Sequence, residues 1–292
     1  MNIITLQSES LDLEVLPELG GAIKSLNFVS QDGIRPIFRE VINPKSVRES
    51  SYFPLVPFSN RIKDGQFLWR EQKIQLPLNL PPENHAIHGF GWQNSWLIEE
   101  QQADRVVLAY KNTCPSWPFL FRAKQVISLQ ENKLVIQLRV VNLSDKDMPC
   151  GLGFHPYFTK TSQVRVQTGS RKMWAVDAEC LPTEVVDVPF EAEPLSSFVV
   201  AEHELDNALI WPKPQAIIEW PEWELKAKLS SSSNCKFLVC YSPSSENFFC
   251  LEPVTHCTDA FNKFNMGEPN TGVEVLPPNS EFTIEMEIEV IS

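Results

Sequence analysis

Apolar and polar residues alternate strictly through Phe282-Thr283-Ile284-Glu285-Met286-Glu287-Ile288-Glu289-Val290. Successive side chains of a strand point to opposite faces. The pattern therefore predicts a strand with Phe282, Ile284, Met286, Ile288 and Val290 buried and the glutamates in water. Leu134–Val140 repeats the alternation less strictly. Three shorter runs are apolar almost throughout: Val106–Tyr110, Ala216–Ile218 and Phe237–Tyr241. Their length and β-branched content fit strands buried on both faces, although periodicity alone does not separate them from short buried helices. Turn chemistry punctuates these runs at Gln31-Asp32-Gly33, Lys63-Asp64-Gly65 and Gln130-Glu131-Asn132.

The 23 prolines are spread along most of the chain and leave little room for long helices. No Gly/Ser linker, low-complexity tract or internal repeat divides the sequence. Many short strands with frequent turns imply an all-β fold, one large antiparallel β-sandwich domain spanning residues 1–292. At 292 residues it has ample length for a large core.

A formal net charge of -12 argues against nucleic acid and against an anionic membrane surface. The N-terminal segment has no basic and apolar pattern of a secretory leader, and no stretch is long and apolar enough to span a bilayer. The seven cysteines are scattered, odd in number and without a CxxC pair. They read as reduced thiols in a cytoplasmic protein.

The chain has five histidines, and imidazole and carboxylate are the groups best suited to move protons near neutral pH. Two clusters are built on histidine: His85-Ala86-Ile87-His88-Gly89-Phe90-Gly91-Trp92 and Gly153-Phe154-His155-Pro156-Tyr157-Phe158. A third is acidic, Cys250-Leu251-Glu252-Pro253 followed by Asp259. Each has a plainer alternative. His155 fits a satisfied core histidine, and Glu252 fits a strand-end carboxylate in solvent. The His85/His88 spacing is no zinc signature, and no ligand cluster completes it, so neither a metal nor another cofactor is expected. Trp92 suits either the core or the apolar face of a flat ligand. Arg61 suits a surface ion pair, and Asp206 a turn.

Four of these elements occur together in one order: Asn60-Arg61-Ile62, His88-Gly89, Gly151–Phe158 and Leu251-Glu252 with Asp259-Ala260-Phe261-Asn262. In this the chain resembles the aldose 1-epimerase (galactose mutarotase) family. The resemblance implies a mutarotase sandwich and interconversion of the α and β anomers of a free hexose without cofactor. It makes Glu252 the base and His155 the acid that protonates the ring oxygen. Arg61 with Asn60, His88 and, in the short segment Leu205-Asp206-Asn207, Asp206 would hold the sugar, with Trp92 offered to the ring. The stretch Pro253–Thr258 departs from the family pattern, and His85 and His256 receive no role. A small sugar would be the ligand, on a monomer or homodimer. Three alternatives remain. One is epimerisation of a phosphorylated hexose, with a cationic pocket drawn from Arg35, Arg39, Lys63 or Arg70. Another is a non-catalytic sugar-binding protein. The third, glycoside cleavage, needs a second acting carboxylate, and Glu252 has no evident one in sequence.

Overall fold

The computed structural model describes residues 2–189 and 197–292. Two large sheets dominate it, one of 11 strands and one of 9, and every pairing between their strands is antiparallel. The alternating C-terminal segment is the strand Glu281–Ile291, paired on one side with Lys133–Asn142 and on the other with Leu225–Ser231. Its Ile284, Met286, Ile288 and Val290 are buried, as the alternation requires, whereas Phe282, near the start of the strand, is only half-buried against the same core. The apolar runs lie in Arg105–Lys111, Gln215–Trp220 and Phe237–Ser242. Two of the turn segments close hairpins: Ser30 pairs with Gly33, and Gln130 with Lys133. The single α-helix among the described residues, Ala260–Asn265, is six residues long.

The middle of the larger sheet is built from Tyr52–Leu55, Gly153–Thr159, Phe248–Val254, Phe237–Ser242 and Leu205–Ile210, in that spatial order. Alternation sorts their side chains into two populations. Tyr52, Phe154, Phe158, Phe249, Leu251, Leu238 and Leu209 face the smaller sheet and share one core with Ile136, Leu138, Ile288 and Leu229. Among the polar groups buried there, the Tyr52 hydroxyl donates to Gln125 Oε1 at 2.6 Å, and Gln125 donates to the Gly21 carbonyl at 2.8 Å. Burying each large apolar side chain stabilises by roughly 1.5–3 kcal/mol. The sheet is therefore held from this side, and its opposite face is free to carry polar groups.

That opposite face presents Phe53, Tyr157, Cys250, Val239 and Ala208, packed with Ile87 and Trp92 from the loops and Ala260 from the helix. His155 and Glu252 belong to the same face. The ladder between their strands pairs Gly153 with Val254 and Tyr157 with Cys250 but skips the residues between. Pro156 and Pro253 fall in that gap and have no N–H to give. Glu252 thus lies inside the strand Phe248–Val254 rather than at its end, and it is buried, not solvated.

Candidate active site

A cavity of about 170 Å³ opens above this face, lined by residues that include Asn60, Arg61, His88, Trp92, His155, Asp206 and Glu252. All the residues singled out for catalysis and binding from sequence converge there. His155 and Glu252 form the floor, with His155 Nε2 3.4 Å from Glu252 Oε1. The His155 ring lies between Phe53, at 4.4 Å between centroids, and Tyr157, stacked at 4.6 Å and 11°. Behind Tyr157 the Arg39 guanidinium stacks at 3.9 Å.

Burial pushes the Glu252 carboxyl well above its usual range; Asp206 adds to this and Arg61 opposes it. Burial likewise drives His155 well below its usual value, with His88 and Arg39 adding to the effect. The contact has ion-pair geometry, but 3.4 Å is loose. Desolvating two charges costs more than so open a contact returns. Burial therefore favours the neutral form of both groups. Glu252 Oε2 and His155 Nδ1 are buried without a hydrogen-bond partner.

The cavity wall is a pair of interlocked loops. The chain leaves the strand Tyr52–Leu55 through Val56 and Pro57, and the Val56 carbonyl accepts from Phe90 N–H at 2.9 Å and Gly91 N–H at 3.2 Å. Asn60 and His88 both have positive φ, 54° and 61°. They bond reciprocally: His88 N–H donates to the Asn60 carbonyl and Asn60 N–H to His88 Nδ1, each at 3.1 Å. An accepting Nδ1 leaves the proton of neutral His88 on Nε2, a donor available to the cavity. Burial, helped by Arg61, lowers the His88 pKa to about 3 and keeps it neutral. The next residue must be glycine: at Gly89, φ is 71° and a Cβ would lie 2.2 Å from the Val56 oxygen.

Arg61 reaches two acids. Its Nε and one terminal nitrogen bond the Glu83 carboxylate at 3.2 and 3.3 Å, and Asp206 Oδ2 is 3.6 Å away. Desolvation works against the Arg61 charge, but Asp206 and Glu83 outweigh it and raise its pKa. Asp206 stands on the strand Leu205–Ile210 rather than in a turn. Trp92 is almost fully buried and stacks on Phe53 at 5.4 Å, so its ring is shared between the core and the cavity edge.

The histidines without a role are loop fasteners. His85 Nδ1 accepts from Asp64 N–H at 3.1 Å. His256 Nε2 accepts from Ser59 N–H at 3.0 Å, and its Nδ1–H donates to the Cys257 carbonyl at 2.7 Å. Gly151 leaves room for this ring, since a Cβ there would lie 1.7 Å from His256 Cδ2. Asp259 bonds Lys63 N–H at 3.0 Å and Asn262 at 2.7 Å.

The cations considered for a phosphate pocket do not gather. Arg35, Arg39, Lys63 and Arg70 are absent from the cavity lining. Arg39 is spent on the carbonyls of Arg48 and Ser50, and Arg70 pairs with Asp147. Arg48, Phe53, Glu83 and Tyr241 do line the cavity and went unnoticed in sequence. Phe53 and Tyr241 could have been found by extending the strand alternation; Arg48 and Glu83 sit in loops that give no periodic signal.

The antiparallel sandwich of two large sheets is the galactose mutarotase-like fold. A family model described as aldose 1-epimerase matches residues 2–289, and the chain belongs to that family. It is 28% identical to the uncharacterized protein YphB of Escherichia coli K12, over 99% of each chain. Among solved structures it is similar to an Escherichia coli K12 protein provisionally assigned as an aldose 1-epimerase, with TM-score 0.89, 27% identity and 99% coverage of both chains. Galactose 1-epimerase from Lactobacillus acidophilus NCFM shares the fold, with TM-score 0.79 and 17% identity over 99% of this chain and 94% of that one.

Proposed function

We propose that this protein is a cytoplasmic, cofactor-independent aldose 1-epimerase acting on a free hexose. The observation that carries this reading is the His155–Glu252 contact at 3.4 Å, on the floor of a cavity walled by hydroxyl-binding groups. Anomer exchange removes a proton from the C1 hydroxyl and gives one to the ring oxygen. Glu252 as carboxylate takes the first, and His155 as imidazolium gives the second. The C1–O5 bond breaks and the open-chain aldehyde forms. Rotation about C1–C2 exposes the other carbonyl face, and the same two transfers in reverse close the ring.

The proton count supports this assignment. The ion pair before ring opening and the neutral pair after it hold the same single proton. Burial favours the neutral form, the one that accompanies the open-chain sugar. No proton has to be exchanged with solvent within a turnover. Arg61, already polarised between Glu83 and Asp206, and the His88 Nε2–H would orient the hydroxyls. Tethering of Glu83 and Asp206 to Arg61 leaves Glu252 as the carboxylate free to act. The charges of Arg48 and Arg61 are matched by those of Glu83 and Asp206, which favours a neutral sugar over a phosphorylated one.

Polarimetry on freshly dissolved α-D-glucose and α-D-galactose tests the proposal. Wild type should speed the approach to equilibrium, and His155→Ala and Glu252→Gln should not. Equal acceleration by Glu252→Gln would remove Glu252 as the base. Activity confined to hexose 6-phosphates would replace the substrate, and none on either would point to a binding protein.

A further inference from the structure

One group beside His155 and Glu252 takes no part in anomer exchange. Cys250 lies two residues before Glu252 on the same strand, so both side chains point to the same face. The ladder sets Cys250 opposite Tyr157 and next to His155 on that face. The thiol is free and buried. Donor atoms of His155, Cys250 and Glu252 all lie within 4.8 Å of one another. We propose that these three side chains form a binding site for a borderline-soft divalent cation of the zinc class, and that a cation held there blocks the acid–base pair.

The geometry supports three ligands. Two donors about 2.1 Å from a tetrahedral cation stand roughly 3.4 Å apart. His155 Nε2 and Glu252 Oε1 are already 3.4 Å apart. The sulfur lies within 4.8 Å of both donors and has to close on them to roughly 3.6 Å. The donor set is one imidazole, one carboxylate and one thiol, and a thiolate selects zinc-class ions over magnesium or calcium. Glu252 Oε2, buried and without a partner, is an independent sign that this floor is short of a binding group. His155 and Glu252 line the cavity, which supplies the entry path and a fourth, open coordination position. Binding releases the thiol proton and the carboxyl proton to solvent. Two anionic ligands then balance the charge of the cation. The same cation would occupy His155 Nε2 and the Glu252 carboxylate, leaving neither free to move a proton.

Cobalt(II) is the direct probe, because a cobalt–thiolate bond gives a near-ultraviolet charge-transfer band. Wild type should develop this band to saturation at one cobalt per chain, and zinc should displace it. Cys250→Ala should fold and show no band; Cys250→Ser, with a thermal melt, covers the case where the smaller residue unfolds the chain. Cys114 and Cys180 remain in all three proteins, so the difference belongs to Cys250. A wild type without the band, or a variant with the same band, overturns the site. This readout does not depend on turnover and so stands apart from the proposed activity. Where turnover is measured, zinc should inhibit wild type, magnesium should not, and Cys250→Ala should require at least on the order of 10²-fold more zinc. Equal zinc sensitivity of the two proteins overturns the blocking role.

Discussion

The floor of the cavity and its wall are built on opposite principles. The floor is made of strand residues: His155 and Glu252 are fixed by sheet register and by stacking on Phe53 and Tyr157, yet polar atoms of both lack partners. The wall is made of loops in which Asn60, Arg61 and His88 are hydrogen-bonded to one another or to neighbouring groups, with positive φ at Asn60, His88 and Gly89. Burial without pairing makes a group ready to exchange a proton, at a cost to stability. Pairing with local strain makes a group hold its position and nothing more. On the proposed function the floor would serve chemistry and the wall recognition, and each could be disturbed without the other.

The sharpest break is at Glu252. Glu252→Gln keeps the shape and removes the proton acceptor. Mutarotation should fall by about 10²–10⁴-fold, the range for a lost proton-transfer group. The melting temperature should hold, because one neutral buried group of the same shape replaces another. Polarimetry and a thermal melt on one preparation check both halves. A large loss of stability with activity retained would reverse the assignment of floor and wall.

The wall fails in the other direction. Gly89→Ala sets a Cβ 2.2 Å from the Val56 oxygen and 2.8 Å from the Pro57 nitrogen, at a φ of 71°. Strain and clash together should cost about 3 kcal/mol or more of folding stability. A denaturant titration would show the midpoint falling. What remains folded should keep the floor pair, so kcat should change less than KM.

Acid should loosen the wall before it unfolds the sheets. Burial lowers the His256 pKa to about 4 against an ordinary 6.5, although its bond to the Cys257 carbonyl opposes the shift. Its folded value lies below its unfolded value, so the unfolded chain binds the extra proton more readily. The stabilisation is present above about pH 6.5 and is lost as pH falls toward 4, roughly 3 kcal/mol over that span. Protonated His256 can no longer accept from Ser59 N–H, which ties the wall loop to the sheet. Melting temperatures of wild type and His256→Asn, followed from pH 7 to 4, should converge as pH falls. Parallel curves would show that His256 carries no such linkage.

The floor and the core were more legible in sequence than the wall. Period-two alternation in Glu281–Ile291 and the apolar runs at 106–110 and 237–241 predict strands and their buried faces because burial acts on every second or every residue. His155 and Glu252 were visible as chemistry and in their resemblance to a family, but only the ladder shows that they touch. Cys250 joins them for the same reason: cross-strand neighbours have no fixed sequence spacing. The helix Ala260–Asn265 is too short for a 3.6-residue period to register. In the wall, the positive φ of Asn60 and His88 follows from mutual hydrogen bonds, and neither partner announces the other. Arg48 and Glu83 reach the cavity through loop paths that composition does not encode.

The smallest effect expected is also the one that separates recognition from chemistry most cleanly. Arg61 bonds both oxygens of Glu83 and stands 3.6 Å from Asp206. Arg61→Lys keeps the charge and loses the planar fork, so one ammonium cannot span the same acceptors. A hydrogen bond to a charged group contributes about 1.5–3 kcal/mol, and partial replacement by lysine should leave a loss near the lower end. KM for the hexose should rise about tenfold, while kcat stays within a factor of about two, because uniform binding is what is lost. Initial rates across a range of sugar concentrations decide it. If kcat fell and KM held, Arg61 would act on the transition state, and the division between a reactive floor and a positioning wall would have to be redrawn to include it.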